Sequence, residues 1–158
     1  MKGILNWKQG MTFVGSADSG HSVVMDAGAS VGGGNNGVRP MEMIALGLAG
    51  CTGMDVISVL QKKRQHVTHF DVQVNADRSV DHPKVFTRAV ITFLVVGKSI
   101  EEEAVLRSIE LSATKYCPVH AMLEQAFPID MQYEIYEEQE NGERQLVCQG
   151  LFQNLFLE

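Results

Sequence analysis

Cysteine is scarce in this chain, and what little there is excludes a secreted disulfide scaffold. Only Cys51, Cys117 and Cys148 occur in 158 residues, far apart and odd in number. Such a set belongs in a reducing compartment, where each is a free thiol, a redox-active thiol or a metal ligand. Positive charge is also short. Lys and Arg total 13 against 19 Asp and Glu, a formal net charge of −6, which argues against a nucleic-acid partner; the one basic cluster, Lys62-Lys63-Arg64, reads as a solvated helix end. The first residues, MKGILNWKQG, lack the apolar core of a signal peptide, so a cytoplasmic location is expected. One apolar run is long, Met41 to Leu60. Glu42, Asp55 and three glycines interrupt it and no hydrophobic flank extends it, so a membrane span is rejected. There is no internal repeat and no low-complexity segment. The 45% apolar and 20% charged fractions are those of an ordinary soluble protein, and the length predicts a single domain, 1–158.

That apolar run is the centre of the chain. Pro40 suits a first helical position, where its missing N–H would be unpaired in any case, and Glu42 places a negative charge near the positive end of the dipole. From Met41 to Leu60 the segment is apolar almost all round, which predicts a long helix buried on most sides. Gly47, Gly50 and Gly53 leave one stripe without side chains, where another backbone can come close. Cys51 sits in the middle, and the default for a free cysteine there is a small core hydrophobe.

Before the helix, residues 1–8, 11–15 and 21–25 read as three short strands of an antiparallel meander. Gly28 to Gly37 is a glycine- and asparagine-rich loop with no Gly-Lys-Ser/Thr ending, so it is expected as a mobile segment leading into the helix and not as a nucleotide cradle. After the helix, Val67 to Ala76 alternates as a half-buried strand and Val85 to Val96 is apolar enough to be central. Ser99 with Glu102 three residues on forms a capping box for a second helix, whose first turn carries Glu101 to Glu103. A short third helix runs from Pro118 to Ala126. Strands follow at 129–137 and 145–149, joined by a turn at Asn141-Gly142. The tail keeps Leu151, Phe152, Leu155, Phe156 and Leu157 and is expected to pack on something, a second subunit being one candidate. Strands and helices in this order make an α+β protein.

Cys117 precedes Pro118 and so takes the N-cap or an adjacent position of the third helix, where unpaired N–H groups and the dipole are expected to lower a thiol pKa. His120 lies three residues on, close to the same face. Three readings stay open from spacing alone. Cys51 and Cys117 are a thiol-redox pair; or Cys117-x-x-His120 is half a zinc site completed by Cys51 or Cys148, although no second pair has metal-ligand spacing; or His120 is a satisfied structural histidine. Cys148, alone on a short strand, is a packing residue.

Two segments then carry a resemblance. Arg39-Pro40-x-Glu42 followed by an apolar helix through Gly50-Cys51-Thr52, and Lys115-Tyr116-Cys117-Pro118-Val119-His120, resemble the OsmC/Ohr family, and most its YhfA-like branch of OsmC-like proteins. The cysteines lie 117 − 51 = 66 residues apart, the family interval, and the resemblance covers nearly the whole chain. It implies antiparallel sheets wrapped around a long central buried helix, in an intertwined homodimer with active sites at the subunit interface. It implies a thiol-dependent peroxidase of organic hydroperoxides, with Cys51 as nucleophile, Cys117 closing a disulfide on it, a dithiol reductant reopening that bond, and an apolar pocket for the alkyl group, lined by the central helix and the tail. No cofactor and no metal is expected, nor a nucleic-acid or membrane partner. Two departures stand out. The family's glutamate ten residues before the nucleophile is replaced by Met41, with Glu42 about 100° further round the helix. Its arginine in the N-terminal strands is missing, the first arginine being Arg39. Arg39 with Glu42 is then either a substitute pair at the helix start or a helix cap with surface charge, and His120 a source of positive charge for either thiolate. A fold kept as a binding module for a small hydrophobic ligand is the alternative function.

Overall fold

The computed structural model describes residues 1–152, so Leu155, Phe156 and Leu157 of the expected packed tail lie outside the described residues. Two compact units divide the chain, Met1–Leu46 and the part from Gly47 onward.

In the first unit, β1 (Gly3–Gln9), β2 (Thr12–Ala17) and β3 (Ser22–Met25) form an antiparallel meander, as the residue pattern predicts. The glycine- and asparagine-rich segment after it is tied down. Asp26 is only 2% exposed. Its carboxylate accepts the N–H groups of Ala27 at 2.8 Å, Gly34 at 3.1 Å and Asn36 at 3.0 Å. These bonds, those from Asn36 and Ala27 foremost, hold the Asp26 pKa below its ordinary value. The loop therefore winds around a carboxylate instead of standing loose. Gly33 is required in it, since a Cβ there would collide with the Ala27 carbonyl.

Helix α1 (Pro40–Lys62) begins in the first unit and continues through the second. Its length and apolar composition match those of a membrane span, but Leu48, Val56 and Leu60 sit in a core with Ile91, Phe93, Val95, Ile109 and Ile135. Burial is confined to one face, Leu48, Ala49, Thr52, Gly53, Val56, Val59 and Leu60. Ile44, Leu46 and Met54 are exposed, which corrects the expectation of a helix covered on most sides. The glycine stripe is also narrower than expected. A Cβ at Gly53 would stand 2.9 Å from the Val72 side chain, whereas at Gly47 and Gly50 nothing among the described residues lies within 4 Å.

The second unit carries a four-stranded sheet of order β4 (His66–Arg78), β5 (Phe86–Lys98), β6 (Ile129–Glu138), β7 (Arg144–Phe152). β5 alternates buried Ala89, Ile91, Phe93 and Val95 with half-buried Val90, Thr92 and Leu94, as a central strand should. It pairs antiparallel to β4 but parallel to β6, so this sheet is mixed where antiparallel sheets were expected. The parallel pair arises because α2 (Glu102–Leu111), a π-helical turn (Ser112–Tyr116) and α3 (Pro118–Leu123) form a crossover between β5 and β6. The Ser99 capping box does not form. Ser99 holds a left-handed φ of 51°, the N-cap is Glu101 with no side-chain cap bond, and Glu102 instead accepts the Tyr133 hydroxyl.

Candidate active site

Cys51 and Asp55 are four residues apart on α1, one helical turn, and so share a face. Cys117 arrives from the other side. The π-helical turn ends at Tyr116 and leaves Cys117 extended (φ −78°, ψ 105°) as the N-cap of α3, with Pro118 at the first helical position. Its Sγ accepts the backbone N–H of His120 at 3.3 Å. The Cys51 sulfur, the Cys117 sulfur and an Asp55 carboxylate oxygen all lie within 4.8 Å of one another. Ser112, the buried first residue of the π-helical turn, donates its hydroxyl to Asp55 Oδ2 at 3.0 Å and fixes that carboxylate. A widened turn of this kind shifts the side chains that follow it, and here it connects the Ser112 and Cys117 positions.

The two sulfurs differ in environment. Cys51 is half-buried and Cys117 is 2% exposed. Burial, and then the hydrogen bond from its S–H to Cys51, push the Cys117 pKa up to about 12. The N-cap expectation was the reverse. α3 is only six residues long, its N–H groups do lower the pKa, and desolvation outweighs them.

His120 lies on α3 beside Cys117. Its backbone, not its ring, meets Cys117. The ring is buried, with Nδ1 at 3.5 Å from Glu124 Oε2 and in no hydrogen bond among the described residues. Burial lowers its pKa, against the opposing pull of the Glu124 carboxylate, which works against a positive charge there. Arg39 and Glu42 do pair, Nη1 to Oε1 at 2.9 Å, and the Arg39 backbone N–H donates to Glu42 Oε2 at 2.9 Å. That second bond is the returning half of a capping box, so in the first unit this pair closes the start of α1. Cys148 lies on β7 opposite Ile135 and packs against the core. Burial, followed by the Glu102 carboxylate, raises its pKa.

Asp55 is the member that sequence reasoning passed over. Its signal was present, an acidic residue in an apolar helix one turn beyond Cys51. A shallow hollow of about 400 Å³ on the first sheet, lined by Ile4, Leu5, Val23 and Met25 among others, contains none of these side chains.

Comparisons with known proteins bear on the family and the fold. The sequence profile of the OsmC-like protein family matches residues 32–132. Protein YhfA of Escherichia coli K12 is 38% identical over 135 residues, which are 85% of this chain and 98% of that protein. A crystal structure of a hypothetical protein from Aquifex aeolicus VF5 aligns with 28% identity and a TM-score of 0.76, covering 87% of this chain and 97% of that one. One of an organic hydroperoxide resistance protein OsmC from Legionella pneumophila aligns at 11% identity and a TM-score of 0.60, over 85% and 96% of the two chains, and speaks for the fold alone.

Proposed function

The chain belongs to the OsmC-like protein family, and from that premise we propose that it is a thiol-dependent redox protein that reduces organic hydroperoxides, with Cys51 as nucleophile and Cys117 as resolving thiol. One observation carries the reading: sulfurs 66 residues apart in sequence come within 4.8 Å from two separate elements. The half-buried Cys51 is the one that meets peroxide, and burial keeps Cys117 a thiol until it attacks. Cys51 Sγ attacks the O–O bond, an alcohol leaves with the proton, and Cys51 becomes a sulfenic acid. Cys117 Sγ then attacks that sulfur. Its proton, relayed by the Asp55 carboxylate, departs with the hydroxyl as water while the disulfide forms. A dithiol reductant reopens the bond and is itself oxidised to a disulfide. Closing to an S–S bond of about 2.05 Å asks only for side-chain and local turn movement from the present separation. The Arg39–Glu42 pair fixes the start of the nucleophile's helix. We assign the working protein to the cytoplasm and to a homodimer.

Mass spectrometry under non-reducing conditions, after treatment with cumene hydroperoxide, tests the proposal. A Cys51–Cys117 disulfide is expected; both thiols intact would sink it.

A second reading has its own observation. The charged side chain within 4.8 Å of both sulfurs is an acid, Asp55, whereas reactive thiols are activated by positive neighbours, which suits a small hydrophobic-ligand binder with weak turnover. It requires unchanged ligand affinity in Cys51→Ser.

A further inference from the structure

The triangle of two sulfurs and a carboxylate has the composition and size of a metal site. In a tetrahedral zinc centre, bonds of about 2.3 Å to sulfur and about 2.0–2.2 Å to a carboxylate place neighbouring ligand atoms about 3.5–3.8 Å apart. The three atoms here lie within 4.8 Å of one another, so side-chain adjustments on the order of 1 Å close them around an ion. Two ligands come from one helical face at i and i+4, which sets their relative position before any ion arrives. The outer contacts are in place as well. Ser112 holds Asp55 Oδ2 and leaves the other carboxylate oxygen available. The His120 N–H already donates to Cys117 Sγ, as outer-shell donors do for ligating atoms in metal sites. Cys51 and Asp55 are half-buried, which gives an entry path and an open fourth position, while buried Cys117 closes the inner side.

We propose that the reduced chain binds one thiophilic divalent cation, zinc in class, through Cys51 Sγ, Cys117 Sγ and the Asp55 carboxylate, with the fourth position taken by water. The ligand set differs from the one that sequence spacing offers. Asp55 stands where a His120 ring would be needed, and that ring is turned to Glu124. Binding releases the two thiol protons to solvent and involves no change of oxidation state. Two thiolates and a carboxylate around a doubly charged ion leave a single negative charge, so the cation offsets the repulsion that the three anions would otherwise suffer. The same sulfurs cannot hold an ion and a disulfide at once. The ion is therefore a reversible block on Cys51 chemistry, and oxidation expels it. None of this requires peroxidase turnover.

The test is a titration of the reduced full chain with zinc alone against a competing indicator. One equivalent per chain is expected, with affinity reduced about tenfold or more in Asp55→Asn, binding lost in Cys51→Ser and in Cys117→Ser, and binding unchanged in Cys148→Ser. On the unsubstituted chain, zinc must slow alkylation of Cys51 and Cys117 but not of Cys148, which needs no variant to fold. The proposal is overturned if no equivalent binds, if Asp55→Asn binds as tightly as the unsubstituted chain (a bare dithiol chelate), or if alkylation of Cys51 proceeds at the same rate with and without zinc.

Discussion

At the scale of single residues, the proposed chemistry rests on the contrast between a half-buried sulfur and a buried one, with a carboxylate beside both. Replacing Cys117 by Ser leaves the nucleophile without a partner. Cys51 sulfenic acid is then expected to accumulate after one equivalent of hydroperoxide, and trapping with a dimedone-type reagent followed by peptide mass analysis checks it. Replacing Asp55 by Asn keeps the shape and the Ser112 contact but removes the proton acceptor. General-base assistance is worth about 10²–10⁴-fold; since Cys117 and the departing hydroxyl exchange a proton in any case, a loss near the low end, about 10²-fold, is expected in disulfide closure. The first step, Cys51 oxidation, is expected to keep its rate, because the Cys117 proton takes no part in it. Rapid-quench mass analysis separates the two steps, and equal loss in both would show that Asp55 supports only the local structure.

At the scale of elements, the loop around Asp26 makes a prediction of opposite character, on stability. Its pKa in the fold lies below the ordinary value, so the stability it contributes is present above the unfolded value of about 3.9 and is lost as pH falls through the folded one. Acid unfolding followed by circular dichroism is expected to steepen below about pH 4 in the native chain and to flatten there in Asp26→Asn, whose melting temperature at pH 7 falls. In the core, Leu60→Ala empties a fully buried site shared with β5 and α2 and is expected to cost about 2–5 kcal/mol in denaturant unfolding. Both elements show what the sequence makes legible. The start of α1 at Pro40, the N-cap at Cys117 and the strands from β1 to β7 follow from proline, turn residues and two-residue alternation, which are local signals. Spacing leaves the union of Cys51 with Cys117 as one reading among three, and the family resemblance singles it out, since no local rule joins positions so far apart. The features that escaped are those that local rules cannot weigh. Ser99 has the residue type for a cap but a left-handed φ, Cys117 has the N-cap position but a desolvation larger than its N–H bonds supply, and the parallel pairing of β5 with β6 depends on where a crossover lands.

At the scale of the whole molecule, each unit leaves apolar side chains in solvent. In the first, Trp7 is 63% exposed beside exposed Ile4 and Leu5; in the second, Met54 is 73% exposed on the same helix that carries Cys51. Scattered exposed hydrophobics are ordinary, but a core helix of this apolar character with uncovered Leu46 and Met54 calls for a cover. The proposed homodimer would supply one, and a prediction follows directly. The native chain is expected to sediment at twice its 17.4 kDa mass. Met54→Glu places a charge that an apolar contact cannot accommodate and is expected to shift the species to the monomer without loss of helical circular dichroism, since Met54 lies off the buried face of α1. If the native chain sediments as a monomer, the dimer is removed from the proposal. If Met54→Glu remains a dimer, the subunits meet elsewhere and the exposed side of the nucleophile's helix is free for substrate. Hydroperoxide kinetics on the same variant separate this case from the expected dissociation. A surface open to substrate predicts a raised KM at constant kcat, whereas loss of a subunit from an interfacial site lowers kcat/KM through both.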